Sequence, residues 1–326
     1  MGAAPTEPLR GDTLGMSASS SYRAARYRRA GWLVFLIAPA LAVVVLFIIW
    51  PIFAALSAAF YHWDGLARGD FTGLKNFRDV LFVFPFAGTT WRAFGHNIYI
   101  FVLLLFLQNG GGFFLAWFLY KEPFGHRIHR VAVFLPVILS TVIVGFLWKL
   151  FLNPNFGLVN QTLEIIGLGG LARPWLGLGS TALTTLAVVS AWHYVGFPAL
   201  IYLAGMQRIP SEIVESARLD GTGEWQLITR IVWPLVAPST TVTFTLLFIG
   251  AFNWFELPYI MAGLDGSPFG STDVLGLYFY RTAFGNQSAG VQDFGHGNAL
   301  AALMFIFLAI VAAFITMALR KREIKL

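Results

Sequence analysis

The chain has 326 residues, of which 57% are hydrophobic and only 12% charged, about half the charged fraction of a soluble domain. Cysteine is absent, which excludes disulfides and thiolate metal sites. The formal charge is +6, but the basic residues stand beside apolar runs, as membrane anchoring requires, and nucleic acid is not among the expected partners.

Residues 1–31 are polar, with Ser17, Ser19, Ser20 and Ser21 followed by Arg23, Arg26, Arg28 and Arg29; they are expected to form a disordered cytoplasmic tail. The apolar segment 32–55 is too long for a signal-peptide core and reads as an uncleaved first span containing Pro39 and Pro51. Five more spans are predicted at 98–119, 131–152, 182–205, 235–260 and 299–319. Each holds about 20 residues, enough for roughly 30 Å of hydrocarbon. Gly110, Gly111 and Gly112 inside the second span predict close helix packing.

The fold class is therefore an all-α polytopic membrane protein with six transmembrane helices. Six spans put both termini on one side. That side carries 15 of the 22 Lys and Arg, including Lys121, Arg127, Arg130, Arg208, Arg218 and Arg230. It is therefore expected to be cytoplasmic. Residues 32–326 form the permeating domain, and the outer loops are long and rich in Gly, Asn and aromatics.

The longest polar passage that still reads as folded is 207–234. Pro210 and Ser211 predict a helix start, with Ser211 as N-cap and Glu212 in the first turn, where a carboxylate suits the helix dipole. Ile213, Val214, Ala217 and Leu219 give it a short apolar face, and Gly221 is placed to end it in a left-handed conformation. A second short helix fits 224–233, with Pro234 opening the next segment. The expectation is a helix-turn-helix knob on the cytoplasmic side.

This passage resembles the cytoplasmic coupling loop of bacterial ABC importer permeases. The family pattern is Glu-Ala-Ala, three residues, Gly, nine residues, Ile, one residue, Leu-Pro. Here it reads Glu215-Ser216-Ala217, then Asp220-Gly221, then Ile231, Trp233 and Pro234. Every spacing holds, and Ser216 and Trp233 replace Ala and Leu. Further segments resemble the carbohydrate-type permeases: Phe71, Gly73, Leu74, Asn76 and Phe77; Arg130 with Leu135-Pro136; Trp148, Gly157 and Asn160; residues 204–210; and Ala283-Phe284 with Gly295, Asn298 and Ala299. A Gly-Gly-Pro turn common after the fifth span is here spread over Gly263, Gly266 and Pro268.

The resemblance implies a permease subunit that moves a sugar or oligosaccharide across the cytoplasmic membrane of a bacterium or archaeon. It implies a second homologous permease, two ATPase subunits, an extracytoplasmic solute-binding protein and contact with membrane lipid. The chain has no Gly-x-x-x-x-Gly-Lys-Ser/Thr sequence, so no cofactor is expected in it; ATP and Mg belong to the partner ATPase. No enzymatic role is expected, since neither a Gly-x-Ser-x-Gly elbow nor a metal-type cluster among the six histidines is present. An ABC importer for another solute, such as glycerol phosphate, and an ion-coupled secondary transporter stay open as alternatives.

Polar groups within spans are costly in hydrocarbon and face a cavity or a partner helix. Gln108 and Asn109 in the second span, and Asn253 and Glu256 with Trp254 in the fifth, are candidates for a solute pathway. Interhelical hydrogen bonding is the competing role. The topology has a direct check, helped by the absence of native cysteine. A cysteine at Ser211 is expected to react with an impermeant maleimide only from the cytoplasmic side, and one at Ser288 only from outside. Reaction of both from one side contradicts the six-span arrangement.

Overall fold

The computed structural model describes residues 2, 34–65, 67–285 and 292–321. The expected tail apart from Gly2, Ser288 and the basic residues Arg322 and Lys325 thus lie outside the described residues. The chain forms two compact units, Met1–Ser57 and Ala58–Leu326.

Helix α1 begins at Val34 in the first unit and ends at Ala58, the first residue of the second, 25 residues long. It passes Pro51 through a π-helical turn at Val45–Ile49, in which the Trp50 amide reaches back five residues to the Val45 carbonyl. Such local π adjustment is how a membrane helix re-satisfies groups freed by proline.

The second unit opens with a short antiparallel hairpin, β1 (Tyr61–Asp64) and β2 (Ala67–Phe71), irregular between Tyr61 and Trp63. Two helices follow: α2 (Lys75–Phe82) and α3 (Phe86–Tyr120). Then come α4 (His126–Ile138), α5 (Thr141–Phe151) and α6 (Leu158–Ile165). Next are α7 (Gly179–Tyr194), α8 (Gly196–Met206), α9 (Ser211–Leu219) and α10 (Glu224–Leu235). Last are α11 (Ala237–Phe252), α12 (Glu256–Ala262), α13 (Leu275–Phe284) and α14 (Phe294–Arg320).

The protein is thus helical, with the hairpin as a minor departure from all-α. Among the described residues, α1, α3 and α14 are each long and apolar enough to cross a membrane. Three bent pairs, each counted as one span, bring the number to six: α4 with α5 at 99°, α7 with α8 at 43°, and α10 with α11 at 76°.

Three of the expected spans are therefore broken where the sequence reads as continuous. Span 131–152 breaks after Ile138, where Leu139 is extended and the Ser140 side chain caps α5 by accepting from the Val142 amide at 3.3 Å. Pro136, which cannot donate in the last turn of α4, precedes that break. Span 182–205 bends at Val195, three residues before Pro198. The third bent pair, α10 with α11, breaks at Val236 inside the expected span 235–260, and the helix is interrupted again at residues 253–255 before α12. The second span also begins earlier than expected, at Phe86, because Thr90, Ala93 and Asn97 form a buried face that holds its first turns.

Two apolar clusters mark the two ends of α3. At its N-terminal end, Val80, Ala93, Phe248, Phe252, Leu275, Tyr278, Ala299 and Leu300 join α2, α11, α13 and α14. Asn97 ties this end together: its amide donates to the Ala251 carbonyl at 2.7 Å, and its oxygen accepts from the Leu275 amide at 2.9 Å. The loop before α13 is anchored by Asp273, whose side chain is 1% exposed. Arg281 donates to both of its oxygens, at 3.2 and 2.8 Å, and Arg92 lies 3.8 Å away. Gly266, at φ +62°, approaches so closely that a Cβ there would lie 2.7 Å from the Asp273 amide nitrogen.

Removing one partner of a buried ion pair leaves the other uncompensated. Asp273→Ala is expected to lower stability by about 3–5 kcal/mol, read as reduced membrane abundance and a lower thermal midpoint in detergent. Asp273→Asn, which keeps an acceptor for Arg281, is expected to lose less. Equal, near-zero losses for both variants contradict an anchoring role.

Candidate functional site

At the C-terminal end of α3 stands the knob formed by α9 and α10. Helix α9 starts one residue differently from expectation: Pro210 is the N-cap, Ser211 is the first helical residue, and no side chain caps the helix. Its end is as expected. Gly221 has φ +79°, the Gly221 amide donates to the Arg218 carbonyl at 3.1 Å, and the Thr222 amide donates to the Ala217 carbonyl at 3.1 Å. That pair of bonds is a Schellman cap, which needs the left-handed residue that glycine supplies most readily.

The knob sits on the bundle through one apolar cluster. Val214 and Ala217 of α9 and Leu227, Ile228 and Val232 of α10 pack with Phe113, Ala116, Trp117 and Leu119 of α3 and with Tyr202, Leu203 and Met206 of α8. Leu219 departs from the expected inward face: it is 89% exposed and, with the exposed Trp225, leaves apolar surface at the knob's tip. Among the motif residues Ala217 is buried, Ile231 and Pro234 are half-buried, and Glu215, Ser216, Asp220 and Gly221 are exposed. The Ser216 hydroxyl donates back to the Ile213 carbonyl at 3.1 Å, so the serine that replaces alanine is satisfied locally. Trp233 stands edge-on to Phe113, ring centroids 4.8 Å apart, and thus touches α3 directly. Glu224 adds ion pairs to Lys121 at 2.7 Å and Arg218 at 3.7 Å.

Beyond this cluster lies a cavity of about 520 Å³. All five span residues singled out from the sequence line it: Gln108, Asn109, Asn253, Trp254 and Glu256. Backbone irregularity brings them there. Gln108 and Asn109 fall in a π-helical segment of α3, Leu105–Gly110, a form found mostly as bulges at functional sites. Asn253, Trp254 and Phe255 form the interruption between α11 and α12; non-helical backbone at membrane depth is tolerated where it lines a cavity. Glu256 occupies the first turn of α12, where the helix dipole suits a carboxylate.

The cavity also includes hydroxyls that the sequence reading missed: Thr141, Ser190, Tyr194 and Thr243. Thr141 and Tyr194 hydroxyls are 3.0 Å apart. Serine and threonine inside apolar runs give little signal, because their hydroxyls can satisfy themselves on the preceding turn. Among the described residues lining the cavity, Glu256 is the one that bears a formal charge.

The second span meets the fourth at the glycine run. A Cβ on Gly112 would lie 2.8 Å from Pro198 Cγ and 3.0 Å from the Ala199 nitrogen, so the two backbones approach as only glycine permits. This places Gly112 in close helix packing, as expected from the sequence, with Gly111 in ordinary contact with Val195, whereas the nearest atom to a Cβ on Gly110 is the Leu105 carbonyl of its own helix.

The family model of the binding-protein-dependent transport system inner membrane component matches residues 108–324, which includes the knob and the cavity-lining spans. The chain belongs to this family. It is 34% identical over 275 residues to the probable ABC transporter permease protein YurN of Bacillus subtilis, covering 82% of this chain and 89% of that one. It is 27% identical over 300 residues to AmyD of Thermoanaerobacterium thermosulfurigenes, a probable starch degradation products transport system permease protein, covering 92% and 98%. In fold it is similar to a chain in the crystal structure of a bacterial ABC transporter involved in the import of the acidic polysaccharide alginate. The TM-score is 0.76 at 22% identity, over 92% of this chain and 99% of that one. The resemblance to carbohydrate-type ABC permeases thus stands, and the chain is a multi-pass membrane protein.

Gly112 gives this geometry a local test. Gly112→Val is expected to separate α3 from α8 and sharply reduce the amount of folded protein in membranes. Gly110→Ala, whose new Cβ would meet its nearest neighbour at 3.6 Å, is expected to leave that amount near normal. The measurement is membrane abundance with size-exclusion behaviour in detergent, and equal effects of the two substitutions contradict the close contact.

Proposed function

We propose that this chain is the permease subunit of an ATP-driven importer for a sugar or oligosaccharide, acting by alternating access and performing no bond chemistry. The observation that carries this reading is the union of two features in one fold. A Schellman-capped knob with apolar surface at its tip is joined by a single cluster to the spans that line a largely apolar, aromatic-walled cavity set with a few amides and hydroxyls. In this reading the knob, with Glu215, Ser216, Ala217, Asp220, Gly221, Ile231 and Pro234, docks on a cytoplasmic ATPase that binds ATP and Mg. A second homologous permease completes the cavity, a second ATPase serves it, and an extracytoplasmic binding protein delivers solute. The assembly resides in the cytoplasmic membrane of a bacterium or archaeon.

Gln108, Asn109 and Asn253 offer amides, Thr141, Ser190 and Thr243 offer hydroxyls, and Trp254 offers an indole; sugars are held by this combination of hydrogen bonds and an aromatic face. Among the described residues, no lysine, arginine or histidine lines this half of the cavity, and the one charged residue there is Glu256. That favours a neutral sugar over glycerol phosphate, whose dianion needs a cationic partner. The ion-coupled alternative would place its coupling site at intramembrane charges.

The test uses the whole complex. Alanine at Gly221 costs about 1 kcal/mol for the left-handed conformation, too little to unfold the bundle, while a larger charged residue also changes the docking surface. Gly221→Asp is expected to insert at near-normal levels, retain less ATPase in pull-downs and abolish uptake of radiolabelled sugars from a panel that the parent complex imports. Uptake by the parent is expected to persist when ion gradients are collapsed with ATP maintained. Normal ATPase retention and uptake in Gly221→Asp, or uptake that follows the proton or sodium gradient, overturns the reading.

A further inference from the structure

We infer that Tyr202 is the positioning residue through which the knob sets the polar wall of the cavity; this rests on the coupling reading above. Tyr202 is fully buried on α8 and belongs to the same apolar cluster as Val214 and Ala217 of the knob. Phe113 bridges the two: its ring lies edge-on to Tyr202 at 5.3 Å and to Trp233 of α10 at 4.8 Å. The Tyr202 hydroxyl faces the other way. It donates to Asn109 Oδ1 at 3.3 Å and accepts from the Thr243 hydroxyl at 3.0 Å.

Both of those partners line the cavity, and Tyr202 itself does not. The phenol therefore has its ring in the knob's cluster and its hydroxyl on two spans of the cavity wall. The elements it joins differ in regularity. Asn109 lies in the π-helical segment Leu105–Gly110, where the hydrogen-bond pattern of α3 changes, and Thr243 lies on the regular helix α11. The Thr243 hydroxyl also lies 3.2 Å from the Thr240 carbonyl of its own helix, so the bond that costs most to break is the one from Tyr202 to Asn109, whose loss at this depth strands a buried amide oxygen. Displacement of α8 with the knob thus moves Asn109 and Thr243 together, and the side chain that couples them is Tyr202.

The absence of native cysteine allows a probe that needs no knowledge of the sugar. Gly250 lines the cavity, is exposed, and has open space around an added Cβ. A Gly250→Cys chain, assembled with its partner permease and ATPase subunits, is titrated with a water-soluble maleimide with and without Mg-ATP plus vanadate. With Tyr202 intact, nucleotide trapping is expected to change the labelling rate by roughly fivefold or more, the lower end of typical coupling between sites. In the Tyr202→Phe background the change is expected to fall below about twofold while ATPase subunits are retained, because ring packing is kept and only the hydroxyl is lost.

Thr243→Val, which is isosteric, provides a second variant should Tyr202→Phe be poorly inserted. It is expected to reduce the nucleotide response in the same way, and Thr243→Ser to restore it. An unchanged response in Tyr202→Phe, or in Thr243→Val where the first variant does not insert, overturns the proposal. A Gly221→Asp complex that keeps its ATPase and its full nucleotide response instead overturns the coupling reading, and the two failures are thereby told apart.

Discussion

The contact on which the rest of the molecule depends is the backbone-to-backbone approach of α3 and α8 at Gly112. With no side chain at that residue, the second span comes within van der Waals range of Pro198 and the Ala199 nitrogen. Lipid tails are as apolar as leucine, so burial alone gives no reason for two membrane helices to associate, and close packing of small residues supplies it. The same approach brings Phe113 against Tyr202 and Asn109 to the Tyr202 hydroxyl. One face of α3 near its C-terminus therefore holds the knob, and the turn before it faces the cavity. A gap at Gly112 would act on both at once.

The helix breaks follow from a second constraint. Backbone amides and carbonyls at membrane depth must find partners, and in an unbroken helix they all do. Where the helices of this protein are interrupted, side chains or new backbone geometry take over. Ser140 accepts from Val142 at the start of α5, the His193 ring lies 3.1 Å from the Leu139 carbonyl, and the Lys149 ammonium donates to the Ile260 carbonyl at 3.4 Å. The interruption at Asn253–Phe255 lies on the cavity wall. Polar side chains inside the spans therefore serve two ends, lining the cavity and satisfying the breaks, which is why neither role could be assigned to each of them in advance.

Much of the knob was legible because it is polar, short and punctuated. A proline, an acidic first turn and a glycine at the end fix a helix that burial then needs only to seat. Leu219 was misplaced, since apolar character alone does not tell an inward residue from one left at the tip. Four of the five cavity residues were legible from the cost of amides and carboxylates in hydrocarbon, and Trp254 from its place between Asn253 and Glu256. The breaks at Leu139 and Val195 were not, because the apolar runs continue across them and a proline in a membrane helix is compatible with either outcome. The hydroxyls of Thr141, Ser190 and Thr243 were equally silent in sequence. The start of α3 at Phe86 was hidden by polar residues: Thr90, whose hydroxyl donates to the Phe86 carbonyl of its own helix, and Asn97, whose buried partners only the fold supplies.

The replacement of the family leucine by Trp233 shows how these constraints meet. An indole is larger than an isobutyl group, and in a filled core it would force its neighbours apart. Here it does not, because Trp233 is 44% exposed and presents its edge to Phe113, so its extra bulk projects outside the cluster. Edge-on aromatic pairs add about 0.5–1.5 kcal/mol beyond area burial. The substitution thus ties α10 to α3 at the same ring that contacts Tyr202. From the knob upward, α3 and α8 run through this cluster without interruption, and the first irregular segments they meet, Leu105–Gly110 and Val195, adjoin the cavity.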